Sequence, residues 1–245
     1  MIRTGPEPKR AESVHILDNP VLASLSGPRH AHLARGCGRA VRYLEDVSPF
    51  MGLPDDPTAG DWADAARLLG TGTAALVRDS VSVPPAWSVI DRFDILQMTA
   101  SPALEGVDDD RAVRLTTDDV PEMLDLTRRT APGPFLPRTV EMGTYVGVRH
   151  DGALVAMAGE RMCTEGWVEI SGVCTAPEHR GKGLGAALVK TMVARIAARG
   201  DRAFLHVTSA NTRAAQLYEH LGFTVRRGLV VTVLRGPDAG ADGRH

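Results

Sequence analysis

The sequence predicts an α/β (α+β) fold built in two parts along a chain of 245 residues. In the second half, apolar runs of strand length alternate with segments whose apolar residues recur at helical spacing. A loop with three glycines joins one of these strands to one of these helices. Residues 101–111 are rich in Pro, Gly and Asp and have no apolar period, which favours a domain boundary there.

This boundary predicts an N-terminal α/β domain over residues 14–105 and a second domain over residues 112–236. The polar ends, residues 1–13 and 237–245, are predicted to be extended or flexible. Within the first domain, the patterns are weaker: helical spacing near Trp62 to Leu69, and strand-like runs near Ala74 to Val77 and Ile95 to Met98.

The second domain reads as a meander of strands followed by alternating helices and strands. Asp151-Gly152 favours a tight hairpin turn, and Gly200 and Gly222 stand where helix C-caps belong. Arg226-Arg227-Gly228 is predicted to turn a terminal hairpin. The predicted elements are strand 112–115, helix 117–129, strands 144–148, 154–162 and 167–175, helix 184–199, strand 203–208, helix 211–221, and strands 223–225 and 229–234.

Composition narrows the class of protein. The 28 Lys and Arg nearly balance the 30 Asp and Glu, which leaves no electrostatic footprint for nucleic acid or an anionic membrane. The three cysteines form no C-x-x-C pair, and no segment approaches the roughly 18 apolar residues of a membrane span. We expect a soluble, cytoplasmic protein without a metal, whose partners are small molecules or proteins; homodimer formation is left open.

The glycine loop is the most informative segment. Gly181, Gly183 and Gly185 stand between a strand and a helix, where open backbone amides and the positive end of the helix dipole favour an anion. Arg180 and Lys182 add positive charge, as a diphosphate would require.

Two other phosphate-binding loops fit poorly. A P-loop needs Ser or Thr after its lysine, but Gly183 follows Lys182. A Rossmann loop needs an acid at the end of the next strand, where this chain has Thr208-Ser209-Ala210-Asn211.

Two ordered motifs carry a family resemblance. R-G-K-G-L-G-A resembles the R/Q-x-x-G-x-G/A signature of the GNAT superfamily of N-acetyltransferases, and NTRAAQLYEHLGF resembles that family's next motif. The resemblance covers about residues 112 to 235 and implies a GNAT fold, with a mixed, central-antiparallel sheet flanked by helices. A weakly patterned first half is similar to the glycine N-acyltransferase-like branch, in which the first half can be a degenerate copy of the fold.

The resemblance also implies a cofactor site for acetyl-CoA. The backbone of Val173, Cys174 and Thr175 is expected to pair with the pantetheine arm, and Asn211 to meet the cofactor. The pyrophosphate is expected to lie against the loop and helix start, at residues Arg180, Gly181, Lys182, Gly183, Leu184, Gly185 and Ala186.

For catalysis, the resemblance implies that Tyr218 protonates the leaving thiolate, although a core aromatic is the structural alternative. Strand alternation places Glu169 on the face of Val173 and Thr175, where it could take the amine's proton through water. Glu160 is the rival base, and either glutamate could instead be paired or solvated. Ordered water is a third route for deprotonation.

The remaining candidates concern the acceptor and the sulfur and imidazole groups. Phe135 and Arg138 precede the meander, where an acceptor pocket is expected, and Arg138 could hold a substrate carboxylate or simply be exposed. His179 and His206 lack the spacing of metal ligands, and Cys174 is expected to be an inert buried thiol.

The resulting functional hypothesis is an N-acetyltransferase that moves an acetyl (acyl) group from acetyl-CoA to a primary amine of a small molecule, amino acid or peptide. Transfer would occur by direct attack in a ternary complex. The alternative is a regulatory or assembly module that binds acyl-CoA without turnover.

Overall fold

A computed structural model describes residues 15–237 of the chain. The predicted ends, residues 1–13 and 237–245, lie outside the described residues apart from Pro237. The helices are α1 (Pro20–Ser26), α2 (Ala59–Leu69), α3 (Val120–Thr130), α4 (Leu184–Ala197) and α5 (Thr212–Leu221). The strands are β1 (Ala34–Cys37), β2 (Ala40–Tyr43), β3 (Met51–Gly52), β4 (Thr73–Arg78), β5 (Ser88–Ala100), β6 (Val113–Leu115), β7 (Tyr145–His150), β8 (Ala153–Thr164), β9 (Trp167–Thr175), β10 (Arg202–Thr208) and β11 (Phe223–Arg235).

One large mixed sheet organises the molecule. Its eight strands lie in the order β4-β11-β5-β10-β9-β8-β7-β6, and only the β9–β10 pair is parallel. The meander β6 to β9 and the α/β fold class predicted from the sequence are confirmed. The hairpin between β7 and β8 turns at Asp151 and Gly152, whose φ values of 49° and 83° are those that the Asp-Gly turn favours.

The predicted boundary at residues 101–111 does not coincide with a break in this sheet. Strand β5, upstream of the boundary, pairs with β10 through Leu205↔Met98 and with β11 through Val225↔Met98. The connecting segment itself packs on α4, where the amide of Asp109 donates to Thr191 Oγ1 at 3.0 Å. Residues 101–111 are irregular, as their composition predicts. The sheet nevertheless joins the two sides of this segment, because β5 precedes it and β10 and β11 follow it.

The terminal hairpin predicted across Arg226-Arg227-Gly228 is wrong. Residues 223–235 form the single strand β11, and a bulge between Val225 and Arg227 accommodates the extra residue. Gly228 has no positive φ, so the chain does not reverse there. The sheet position beside β10 is therefore filled by β5, from the first half of the chain.

Three apolar clusters pack the helices against the two sheets. The largest packs α3, α4 and α5 against the sheet, with Leu188, Met192 and Phe223 among its buried residues. A second joins α1 to the opposite side of the sheet, with Val21, Leu25 and Phe204 among its buried residues. A third covers α2 and the small antiparallel sheet β1-β2-β3. Within residues 15–237, every helix is too short or too polar to span a bilayer.

Candidate functional site

The loop between β9 and α4 contains glycines that are required by the backbone conformation and not by close packing. Gly181 and Gly183 have φ values of 77° and 74°, which side-chain-bearing residues rarely adopt. A Cβ at either position would meet no atom within 4 Å. The space beside these glycines is therefore open to a ligand.

Hydrogen-bond donors without a recorded acceptor lie in the same loop. Among residues 15–237, no acceptor is recorded for the amides of Gly181, Lys182 or Gly183, and Gly183 caps α4 without a side-chain hydrogen bond. The first turn of α4 adds amides that no helix can satisfy internally. Arg180 and Lys182 are exposed beside them, and neither forms an ion pair with a described carboxylate. This arrangement suits a polyanionic ligand.

Strands β9 and β10 diverge next to this loop. Their parallel pairing covers Arg202↔Trp167 to Phe204↔Glu169 and then stops, although both strands continue. On its other edge, β9 stays paired with β8 through Met157↔Cys174 and Ala156↔Thr175. The β10-facing backbone edge of Val173 to Thr175 is consequently available to an extended ligand that binds as an added strand.

Side chains on this stretch of β9 have different exposure. Val173 is half-buried, whereas Cys174 is 7% exposed. Burial raises the pKa of the Cys174 thiol to about 11, so the thiol is neutral at physiological pH. The thiol of Cys174 is therefore buried and neutral, as the sequence predicts.

A cavity of about 450 Å³ opens where β9 and β10 separate. It brings together three of the predicted site residues, Val173, Asn211 and Tyr218. The rest of its wall comes largely from the first half of the chain and from β11. These residues include Phe50, Ala75, Val77, Phe93, Ile95, Arg161, His206, Val231 and Val233.

Tyr218 faces this cavity from α5. Its ring meets Phe223 edge to face, with ring centroids 6.1 Å apart. No hydrogen bond of its hydroxyl is recorded among the described residues, and burial raises the pKa of Tyr218 to about 12. The phenol is therefore protonated at neutral pH and has a proton to donate into the cavity.

Asn211 lies at the N-terminus of α5. Its Oδ1 accepts a hydrogen bond from the amide of Ala214 at 3.1 Å, so the side chain caps the helix. The side-chain nitrogen of Asn211 stays available at the cavity wall. The same residue thus positions α5, and with it Tyr218, and presents a donor.

Glu169 does not occupy the position of an accessible base. It is 0% exposed, and its carboxylate accepts from Arg161 Nε at 2.8 Å, Arg161 Nη2 at 2.6 Å and His206 Nδ1 at 2.7 Å. Burial alone would raise its pKa, but Arg161 and His206 outweigh burial and hold the pKa well below the usual range. A buried carboxylate with these partners is a structural anion.

A bulge in β9 separates Glu169 from the face of Val173 and Thr175 on which strand alternation was expected to place it. Between Ser171 and Cys174, β9 contains one residue more than the facing stretch of β8 from Gly159 to Met157. Gly172 adopts a φ of 64° in this bulge. The extra residue shifts the alternation of side chains, so residues separated by an even number of positions across the bulge point to opposite faces of the sheet.

Glu160 is also held in a structural pair. Its side chain is buried, accepts from Arg199 Nη2 at 2.6 Å and from the amide of Thr144 at 3.2 Å, and is not part of the cavity wall. Glu160 therefore ties the segment after α4 to the sheet, and the structure does not support it as a base.

The two residues proposed for acceptor binding lie outside the cavity. Phe135 packs edge to face on Tyr145, with centroids 5.6 Å apart. Arg138 pairs with Glu141 through two contacts of 2.7 Å and with Asp46 at 3.3 Å. Its charge is neutralised twice, so Arg138 fastens its loop to the first half of the chain instead of facing a substrate.

Arg161 and His206 are the polar residues of the cavity that sequence reasoning missed or set aside. Arg161 stands in the apolar run of β8, and an arginine among buried residues signals a buried partner. That partner, Glu169, is eight residues away across the β8–β9 hairpin. His206 approaches Gln97 Nε2 at 2.9 Å with its own Nε2. Among residues 15–237, no cluster of His, Cys, Asp or Glu could hold a metal ion.

Sequence comparisons match the region that contains this site. Residues 145–231 match the FR47-like protein family. A mycothiol acetyltransferase from Thermobispora bispora is 49% identical over 57 residues, which are 23% of this chain and 19% of that protein. A mycothiol acetyltransferase from Beutenbergia cavernae is 41% identical over 75 residues, which are 30% of this chain and 25% of that protein. The matches thus span about a fifth to a quarter of the curated relatives' length.

Similar solved structures cover much more of the chain. A protein from Novosphingobium aromaticivorans, described as an acetyltransferase from the GNAT family, is 40% identical, with a TM-score of 0.84. The match covers 91% of this chain and 99% of that one. A GCN5-related N-acetyltransferase from Kribbella flavida, 19% identical with a TM-score of 0.56, covers 91% of this chain and 97% of its own and supports the fold. The chain belongs to the GNAT family of acetyltransferases.

Proposed function

We propose that the protein is an acetyl-CoA-dependent N-acetyltransferase that acetylates a primary amine by direct attack in a ternary complex. One observation carries the proposal: β9 and β10 separate beside the loop of open amides, and Tyr218 faces the cavity that opens where they separate. The name mycothiol acetyltransferase, shared by two relatives, supports acetyl transfer. The glycine N-acyltransferase-like branch stays a prediction.

The residues present fit acetyl-CoA along its length. The amides of residues 181–186, with Arg180 and Lys182, would hold the pyrophosphate. The open edge of Val173 to Thr175 would pair with the amide groups of the pantetheine arm, and Asn211 would donate from the opposite wall. When bound, the cofactor supplies an acetyl group activated as a thioester.

Tyr218 would supply the proton that the departing sulfur needs. A phenol whose pKa is raised to about 12 is a weak acid, but the burial that raises this pKa also disfavours a thiolate placed beside it. The proton can therefore pass from oxygen to sulfur as the carbon–sulfur bond breaks. Because no hydrogen bond to another described residue holds the hydroxyl, the transfer breaks no structural contact.

The amine must lose its proton by another route. Among the described residues that line the cavity, none is Asp or Glu. His206 is engaged on both ring nitrogens: Gln97 Oε1 accepts from Arg226, so Gln97 Nε2 donates to His206 Nε2, and His206 Nδ1 donates to Glu169. Water in the cavity is the remaining acceptor, in keeping with the third route that the sequence left open.

Calorimetric titration with acetyl-CoA, free CoA and NADH tests the proposed cofactor. We expect both CoA species to bind and NADH to remain without effect. Amine-dependent release of free thiol from acetyl-CoA then tests turnover. Absence of CoA binding would contradict the proposed function, and binding without thiol release by any primary amine would favour the regulatory or assembly module.

A further inference from the structure

Charge is distributed unevenly around the cavity. Its wall is mainly apolar, and among the described residues that line it, Arg161 is the only one with a permanent charge. No described acidic side chain lines the cavity to attract a cationic acceptor. The cavity therefore differs from a site for a polyamine, which needs carboxylates around its ammonium groups.

Arg161 is held rigidly with one edge in use. Its Nε and Nη2 donate to the two oxygens of Glu169 at 2.8 Å and 2.6 Å, and its guanidinium lies over the Phe50 ring at 5.0 Å from the centroid. The side chain is only 12% exposed. A bidentate contact and a cation–π contact together fix the plane of the guanidinium.

The other edge of this guanidinium has no partner in the part of the chain that the structure describes. No hydrogen bond from Arg161 Nη1 is recorded among residues 15–237, although Arg161 lines the cavity. A donor group without a partner in a mostly buried position is destabilising unless water or a ligand accepts from it. Nε and Nη2 are sufficient to pair with Glu169, so Nη1 remains able to donate to a ligand in the cavity.

We propose that Arg161 binds a carboxylate of the acceptor, and that the acceptor is an amine with a carboxylate and an apolar group, such as an apolar α-amino acid. The inference rests on the proposed acetyl transfer to an amine. The carboxylate would accept from Nη1, and the apolar group would pack on the wall formed by Phe93, Ile95 and Val231. Guanidinium is suited to this task because it is always charged and its donors are fixed in a plane.

Binding of reaction products to the unmodified protein tests this inference without turnover. Calorimetry in the presence of CoA would compare N-acetyl-L-phenylalanine with its uncharged amide. We expect the carboxylate to bind more tightly by roughly tenfold or more, as a hydrogen bond to a charged group implies. Equal affinities, or no binding of the carboxylate, would overturn the inference. Acetyl-CoA titration alone, in contrast, reports on the proposed function.

A variant then assigns the preference to Arg161. Arg161→Lys keeps the positive charge beside Glu169 but lacks the second edge, so the preference for carboxylate over amide should fall by roughly tenfold. Arg138→Lys is the matched control, because this arginine is exposed and paired outside the cavity. Acetyl-CoA affinity should stay unchanged in both variants. If Arg161→Lys retained the full carboxylate preference, Arg161 would not be the recognition residue.

Discussion

The glycine loop and the polar wall of the cavity show two ways of building a binding site. The loop at residues 180–183 is continuous in sequence and exposed, and no acceptor among the described residues is recorded for the amides of Gly181, Lys182 and Gly183. The cavity wall includes Arg161 and His206, and both pair with the fully buried Glu169. These three residues lie on three different strands, and nearly all of their hydrogen-bonding groups are already in use. The first site depends on local backbone conformation, and the second depends on the assembled sheet.

This difference predicts different responses to substitution. A change in the loop should reduce ligand affinity and leave the fold intact, because the open amides contribute little to stability. A change among the paired side chains of the cavity should affect stability first, because it leaves a buried charge without its partner. Tyr218 belongs to neither class, since its ring is packed and its hydroxyl forms no hydrogen bond with another described residue.

The largest effect should come from Tyr218→Phe. Loss of a general acid lowers the rate of the chemical step by roughly 10²- to 10⁴-fold, whereas affinity for acetyl-CoA should change by less than about twofold. Steady-state kinetics with calorimetry would separate the two quantities. Tyr145→Phe is the matched control, because it removes another buried phenol that is not part of the cavity wall. Equal rates in the Tyr218 and Tyr145 variants would contradict the proposed proton donor.

A smaller but still large effect is expected on stability for Glu169→Gln. Removing one partner of a buried ion pair costs about 3 to 5 kcal/mol, which urea unfolding at neutral pH would measure. Glu178→Gln, which breaks the exposed pair with Arg129, should change stability little. A Glu169 variant as stable as the Glu178 variant would show that the buried pair is not structural.

The pH dependence of stability sharpens this test. The pKa of Glu169 is lowered in the folded protein, so the carboxylate stabilises the fold fully above its unfolded pKa of about 4.3 and progressively less at lower pH. The unmodified protein should therefore lose stability as the pH falls below about 5, and Glu169→Gln should lose less over the same range. Parallel pH profiles of the two proteins would contradict this role of Glu169.

The smallest effect should come from Arg138→Ala. Its ion pairs with Glu141 and Asp46 lie at the surface, outside the cavity. The ratio kcat/KM for any amine acceptor should remain within about twofold of the unmodified protein. A substantial rise in the KM of carboxylate-bearing acceptors would instead return Arg138 to the acceptor site that the sequence suggested.

The sequence was informative where signals are local. Strand β9, the glycine loop, α4 and α5 follow one another along the chain, and each has its own apolar period, turn residue or cap. Asp151-Gly152 predicted its hairpin because a two-residue turn depends on the residues within it.

Features that depend on distant pairing were not predicted. The position of β5 between β10 and β11 follows from edge-to-edge contacts that no local pattern encodes. Gly228 resembled a turn residue, but the bulge after Val225 absorbed the irregularity within β11. Arg161 received no role because its meaning depends on Glu169, on the Phe50 ring and on the cavity, which only the assembled fold brings together.

The central claim is that the glycine loop binds the pyrophosphate of acetyl-CoA, and a matched pair of variants tests it most directly. Gly183→Asp and Gly200→Asp both place an aspartate at an exposed glycine of positive φ with open space around it, but Gly200 lies beyond the far end of α4. Calorimetry should show a loss of acetyl-CoA affinity of roughly 100-fold or more for Gly183→Asp, because a carboxylate would face the pyrophosphate, and little change for Gly200→Asp. Equal affinities in the two variants would contradict the account.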